Sequence, residues 1–166
     1  MIIRYAKEED LPMLVEIYNQ SVQTSAATFD LTPVTVEQRR SWFDNHISNE
    51  LFPLIVAEKD GVVAGYASLS SYRDKEAYIQ TVELSIYIDK NQQGHGIGKQ
   101  LMKRILELAK ELNHHVVISG ITKGNDISVK MHEQFNFTFC GEFKEVGWKF
   151  DQWQDVLFYQ LILQDV

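Results

Sequence analysis

Between Ala77 and Ser119 the chain passes from an alternating strand into a cluster of glycines, then a long amphipathic helix, then a second strand, and that order places it among α/β folds. From Ala77 to Ile88, Ile79, Val82, Leu84, Ile86 and Ile88 alternate with Tyr78, Thr81, Glu83, Ser85 and Tyr87, so one strand face is apolar and the other polar. Gln93-Gly94-His95-Gly96-Ile97-Gly98 follows. Ile97, Leu101, Ile105, Leu108 and Leu112 then mark one face of a helix, and His115 to Ser119 reads as a strand. Glycines ahead of a helix let successive N–H groups converge where the helix start already offers unpaired donors, which suits a pyrophosphate. Lys99, Lys103 and Arg104 add positive charge. A plain turn before a solvated helix face is the competing reading. The dinucleotide pattern G-x-G-x-x-G is absent, and no G-K-[ST] follows, which excludes a Walker loop.

The remaining elements continue the alternation. Ile2 to Tyr5 predicts a short strand, and Leu11, Leu14, Val15, Tyr18 and Val22 predict a helix with Pro12 in its first turn. Thr35 and Gln38 fit a capping box for a second helix, one face of which should hold Val36, Arg40, Phe43 and Ile47. Leu54 to Glu58 and Val62 to Leu69 flank Asp60-Gly61, a hairpin turn. A helix over Ile127 to Gln134 and strands over Phe137 to Glu142 and Val156 to Leu163 complete the chain. At 166 residues, with no linker-like tract, one α/β domain over 1–166 is expected.

Charge and cysteine content narrow the setting. A net charge of -7 argues against general affinity for nucleic acid or anionic membranes. The apolar run Leu51 to Ala57 falls short of the ~20 residues of a membrane helix, and the amino terminus turns acidic after Tyr5, so a cytoplasmic protein is expected. Cys140 is alone and should be a small buried filler, without disulfide or metal. His114 and His115 point to opposite faces and cannot chelate one metal together.

Several stretches, taken in order, resemble one family. Besides Gln-x-x-Gly-x-Gly, these are Ala27-Thr28-Phe29-Asp30, Gly65-Tyr66-Ala67-Ser68, Thr81-Val82-Glu83-Leu84-Ser85-Ile86-Tyr87-Ile88, Met131-His132-Glu133 and Glu145-Val146-Gly147-Trp148-Lys149-Phe150. The loop resembles the acetyl-CoA pyrophosphate loop of the GNAT N-acetyltransferases. The ensemble resembles the phosphinothricin and methionine sulfoximine acetyltransferase family within them. That resemblance implies a GNAT-like mixed sheet with splayed central strands and flanking helices, acetyl-CoA as co-substrate, no metal, a small amine acceptor and a homodimer.

The resemblance also implies roles. Glu83 would be the catalytic base, and Ile86, Tyr87 and Ile88 would offer backbone groups to the pantetheine arm. Gln93, Gly94, His95, Gly96, Ile97, Gly98 and Lys99 would hold the pyrophosphate, with Asn125 contacting CoA as well as capping a helix. His132 would protonate the leaving thiolate, with a packed helix histidine as the alternative. Phe29, Arg73, Tyr78, Lys144 and Lys149 would surround an amino-acid acceptor carrying an oxygen-bearing tetrahedral group. Ile79, Gln80 and Leu84 depart from the family's Arg-His and His at those places, Asn136 replaces a glycine, and Gln93 and His95 replace common loop arginines. Other acceptors, a polyamine or a protein amino terminus, and a non-catalytic acyl-CoA-binding module are the alternatives.

Overall fold

The computed structural model describes residues 1–164. β1 (Ile2–Tyr5), β2 (Leu54–Lys59), β3 (Val62–Ser71), β4 (Thr81–Ile88), β5 (Val116–Thr122), β6 (Thr138–Lys149) and β7 (Gln152–Ile162) form one sheet in the order β1-β2-β3-β4-β5-β7-β6. Every neighbouring pair is antiparallel except β4 and β5, which run parallel. The parallel pair needs a crossover, and α3 (Ile97–Glu111) supplies it. Its buried stripe, Ile97, Leu101, Met102, Ile105, Leu108 and Ala109, packs on one sheet face with Val82, Leu84 and Val117. α4 (Asp126–Gln134) lies over the same cluster through Val129 and Met131.

The opposite face carries α1 (Leu11–Thr24) and α2 (Val36–Ser48). Leu11, Leu14, Ile17, Tyr18 and Val22 meet Val56, Val63 and Tyr66 there. The Thr35 capping box is present, with the hydroxyl accepting from Gln38 N–H at 3.1 Å and Gln38 Oε1 accepting from Thr35 N–H at 2.9 Å. α2 buries Phe43 and His46 while Ile47 stays 51% exposed, so its inner face is rotated from the expected Ile47 side. His46 supplies the reason: its Nδ1 is bonded to Phe52 O at 2.8 Å, which turns that side of the helix inward.

Three boundaries differ from expectation. β4 begins at Thr81 rather than Ala77, because Glu76–Tyr78 form a 3₁₀ turn closed by Ile79 N–H to Glu76 O at 3.1 Å. β6 and β7 extend through what read as a loop and meet at Phe150-Asp151, whose φ values of 56° and 57° match a two-residue primed turn. Without glycine at either position, that hairpin left no turn signal. Cys140 is exposed rather than buried, because β6 is the sheet's edge strand and its outer positions have no covering layer.

Candidate active site

The parallel pairing of β4 with β5 stops almost as soon as it starts. Thr81, Val82 and Glu83 lie opposite Val116, Val117 and Ile118, and no rung follows. β5 continues beside β7 as far as Thr122, while β4 continues beside β3 as far as Ile88. The two strands therefore splay, and β4 from Leu84 to Ile88 keeps one backbone edge free of β5. Obligatory backbone donors and acceptors along such an edge suit an extended, amide-containing ligand arm. Ile86, Tyr87 and Ile88 occupy that edge, and Glu83 stands where the split begins.

Glu83, Ser85 and Tyr87 share one face of β4, directly opposite Ser70, Ser68 and Tyr66 of β3. Glu83 is open to solvent at this cleft, yet the protein crowded around its carboxyl desolvates it and pushes its pKa above the usual 4.5. No ion pair at Glu83 is found among the described residues. Farther along the face the layer closes: Tyr87 meets Tyr18 and Tyr66 with ring centroids 5.4 Å away in each case, and burial pushes its hydroxyl pKa up to about 12. Arg39 stacks between Tyr18 and Trp42, its guanidinium carbon 4.1 and 4.0 Å from their ring centres. Nothing in the sequence pointed to this aromatic and guanidinium layer.

Beyond β4, the chain turns through the glycine loop into α3. Gly94 and Gly96 have φ values of 80° and 76°, and a Cβ at either would meet nothing within 4 Å. Their requirement is thus conformational, since L residues rarely adopt that φ. Gly98 differs: a Cβ there would come within 3.2 Å of Met131 Sδ, so this glycine lets the start of α3 approach α4. Gln93 to Gly96 are exposed, and Ile97 is the buried first residue of the helix. His95 leans on its own turn, Nδ1 to Gln92 O at 3.2 Å, and Lys99 is exposed on the first turn. A loop of this shape, ahead of a helix whose first N–H groups lack partners, fits a pyrophosphate.

Asn125 caps α4 with its Oδ1 accepting from Ser128 N–H at 3.3 Å. His132 is buried on the same helix. Its Nδ1 donates to Ser128 O at 2.7 Å, its Nε2 lies 2.9 Å from Ser119 Oγ, and its ring stacks edgewise on Phe137. Desolvation lowers its pKa below 6.5, and in the neutral ring the donation from Nδ1 leaves Nε2 to accept from the Ser119 hydroxyl. Ser119, a buried residue just past the split, escaped the sequence reading; strand parity alone could have placed it on the inner face.

The expected acceptor residues fall into two groups and one outlier. Phe29 and Lys149 come together: Lys149 is buried, its Nζ donates to Thr28 O at 2.8 Å, and Phe29 lies against Gly147. Burial lowers the Lys149 pKa. Arg73 and Tyr78 both contact Tyr72, the guanidinium carbon 5.0 Å and the Tyr78 ring 5.6 Å from its centre. Lys144 sits apart, exposed in a bulge of β6 where the register shifts between Phe143 and Gly147. The loop carrying Phe29 also bonds β5, with Thr122 Oγ donating to Ala26 O at 2.6 Å, and α1, where Tyr18 bonds Thr28 and Asp30.

Comparison with known proteins agrees with this geometry. Residues 3–158 match the acetyltransferase (GNAT) domain. An L-methionine sulfoximine/L-methionine sulfone acetyltransferase of Pseudomonas aeruginosa is 38% identical over 97% of this chain and 94% of its own. Among solved structures, a ribosomal-protein-alanine N-acetyltransferase from Brucella melitensis superposes with a TM-score of 0.95 at 42% identity, covering 98% of this chain and 100% of that one. A phosphinothricin acetyltransferase from Sinorhizobium meliloti in complex with acetyl-CoA gives a TM-score of 0.94 at 32% identity, covering 98% and 88%.

Proposed function

The chain belongs to the GNAT acetyltransferases, and from that premise we propose that it is an acetyl-CoA-dependent N-acetyltransferase acting on the α-amine of a small amino acid or analogue of the methionine sulfone, methionine sulfoximine or phosphinothricin type. The observation that carries the reading is the split of β4 from β5 at Glu83, followed directly by the glycine loop. It sets a free strand edge, a phosphate-shaped turn and a carboxylate along one line.

Transfer from a thioester needs a neutral amine, a polarised carbonyl and an exit for the amine's proton. Glu83 takes that proton, directly or through water, and its raised pKa makes it a better base than an ordinary surface carboxylate. Backbone N–H groups on the free edge from Ile86 to Ile88 hold the pantetheine arm and bias the carbonyl. Gln93 to Lys99 hold the pyrophosphate, and Asn125 contributes from the α4 cap. Arg73 and Lys149 offer donors to the acceptor's polar ends, while Phe29 and Tyr78 wall its aliphatic part; Lys144 reaches this pocket only if the β6 bulge turns toward it. His132, with both ring nitrogens engaged, holds α4 on β5 in this reading; as a thiolate acid it would first have to leave Ser119.

A homodimer and a cytoplasmic setting complete the proposal, the former supported by exposed Phe143, Trp148 and Trp153 along the β6–β7 hairpin. The second reading, acetylation of a protein amino-terminal alanine, is favoured by the name of the Brucella structure and shares the α-amine chemistry. Following free thiol release from acetyl-CoA with methionine sulfone, methionine sulfoximine, phosphinothricin, an alanine-led peptide and spermidine decides between them. The highest kcat/KM should fall on the oxygen-bearing amino acids; a preference for the peptide moves the assignment to protein termini.

A further inference from the structure

We propose that Gly147 sets the length of the acceptor pocket by seating the ring of Phe29, an inference that rests on the acetyltransferase reading above. In β6, Lys144, Glu145 and Val146 stand against Asp155 alone, since Phe143 lies opposite Val156 and Gly147 opposite Gln154. Glu145, with φ 57°, donates its N–H to Asp155 Oδ1 at 2.8 Å and fixes the bulge. The strand is thereby bent just before Gly147, whose backbone receives the Phe29 ring. A Cβ on Gly147 would lie 2.5 Å from Phe29 Cε2 and 2.8 Å from Cδ2 and Cζ, closer than real contacts allow.

Gly147 is not among the positive-φ residues, so alanine fits its backbone, and the three atoms nearest an added Cβ all belong to the Phe29 ring. For the ring to withdraw with its loop, the loop's ties to the rest of the fold would have to strain. Lys149 Nζ holds Thr28 O, Thr122 Oγ holds Ala26 O, and the Asn19 amide bonds Val34 through both its carbonyl and its nitrogen. Those bonds fasten the loop to β6, to β5 and to α1. A ring displaced from β6 therefore turns into the mouth of the cleft and shortens the space for the acceptor's side chain. Pocket volume differing by about a methylene discriminates substrates by ~10–200-fold.

The test compares wild type with Gly147→Ala, Phe29→Leu and the double variant, using short and long members of each amine class: alanine against methionine sulfone, a tripeptide led by alanine against one led by methionine, and putrescine against spermidine. On whichever class wild type acetylates, Gly147→Ala should shift the kcat/KM ratio toward the short member by ~10-fold or more, with acetyl-CoA affinity unchanged. The double variant should restore the ratio. Hydrogen exchange of residues 25–34 supplies a readout independent of the acceptor, and it should quicken in Gly147→Ala and recover in the double variant. An unshifted ratio, a shift that persists without the Phe29 ring, or unchanged exchange in a folded Gly147→Ala overturns the inference. Activity confined to peptides or polyamines would instead correct the acceptor class while leaving the length test intact.

Discussion

Glu83, the proposed base, stands where crowding disfavours its charge. Its raised pKa means that the base form appears only as pH climbs past a point above its usual value, so kcat/KM should rise through that point. Glu83→Gln should lower turnover by ~10² to 10⁴-fold at neutral pH, abolish that limb of the profile and leave acetyl-CoA affinity alone; stopped-flow acetyl transfer and equilibrium binding measure both. His132 calls for the opposite experiment. His132→Phe strips hydrogen bonds from the buried Ser119 Oγ and the half-buried Ser128 O, and should cost about 1–3 kcal/mol of stability in denaturant titration. The transfer rate per folded molecule should stay near that of wild type. A slowed transfer step in a fully folded variant would return His132 to thiolate protonation.

The loop between β4 and α3 separates two uses of glycine that are identical on the page of a sequence. Gly96 serves a left-handed φ of 76° with open space around it, whereas Gly98 serves a close approach to Met131. Valine at 96 must either hold a backbone conformation that costs about 1–3 kcal/mol or reshape the loop. Gly96→Val should therefore weaken acetyl-CoA binding at least ~10-fold by calorimetry, while α3 keeps its helical signal. Gly98→Ala meets only the end of a flexible methionine side chain, and it should bind acetyl-CoA nearly as wild type does. Equal losses in the two variants would mean that close approach, and not φ, governs the loop.

Over the whole molecule, two buried histidines on opposite sheet faces link stability to pH. His46 and His132 both have pKa values lowered by desolvation below 6.5. Between those lowered values and 6.5 the unfolded chain binds more protons than the folded one, so stability is complete above about pH 6.5 and declines as pH falls below it. Thermal unfolding followed from pH 8 to pH 5 should show Tm level at first and then falling, and replacing both histidines by glutamine should flatten that fall. The exposed aromatic edge of β6 and β7 acts at the same scale: sedimentation should report a dimer, and Trp148→Glu should give a monomer.

Much of this molecule was present in periodicity and turn chemistry, because those depend on neighbours in the chain. The α3 stripe, the Thr35 capping box, the Asp60-Gly61 hairpin and the glycine loop are all legible in the chain itself. So was Glu83 as the carboxylate on the polar face of β4. Local pattern failed where the deciding partner was distant. Cys140 lies outside because β6 is the edge strand, and strand order is settled by packing of the whole sheet. The β6–β7 hairpin turns at Phe150-Asp151, residues that adopt positive φ because the long ladder on either side holds them there. Asn136 stands in the same left-handed region, at φ 69°, where the family's pattern has glycine. The split beyond Glu83, the Ser119 partner of His132 and the seat of Phe29 on Gly147 each join segments far apart in sequence, and only the folded backbone brings them within contact distance.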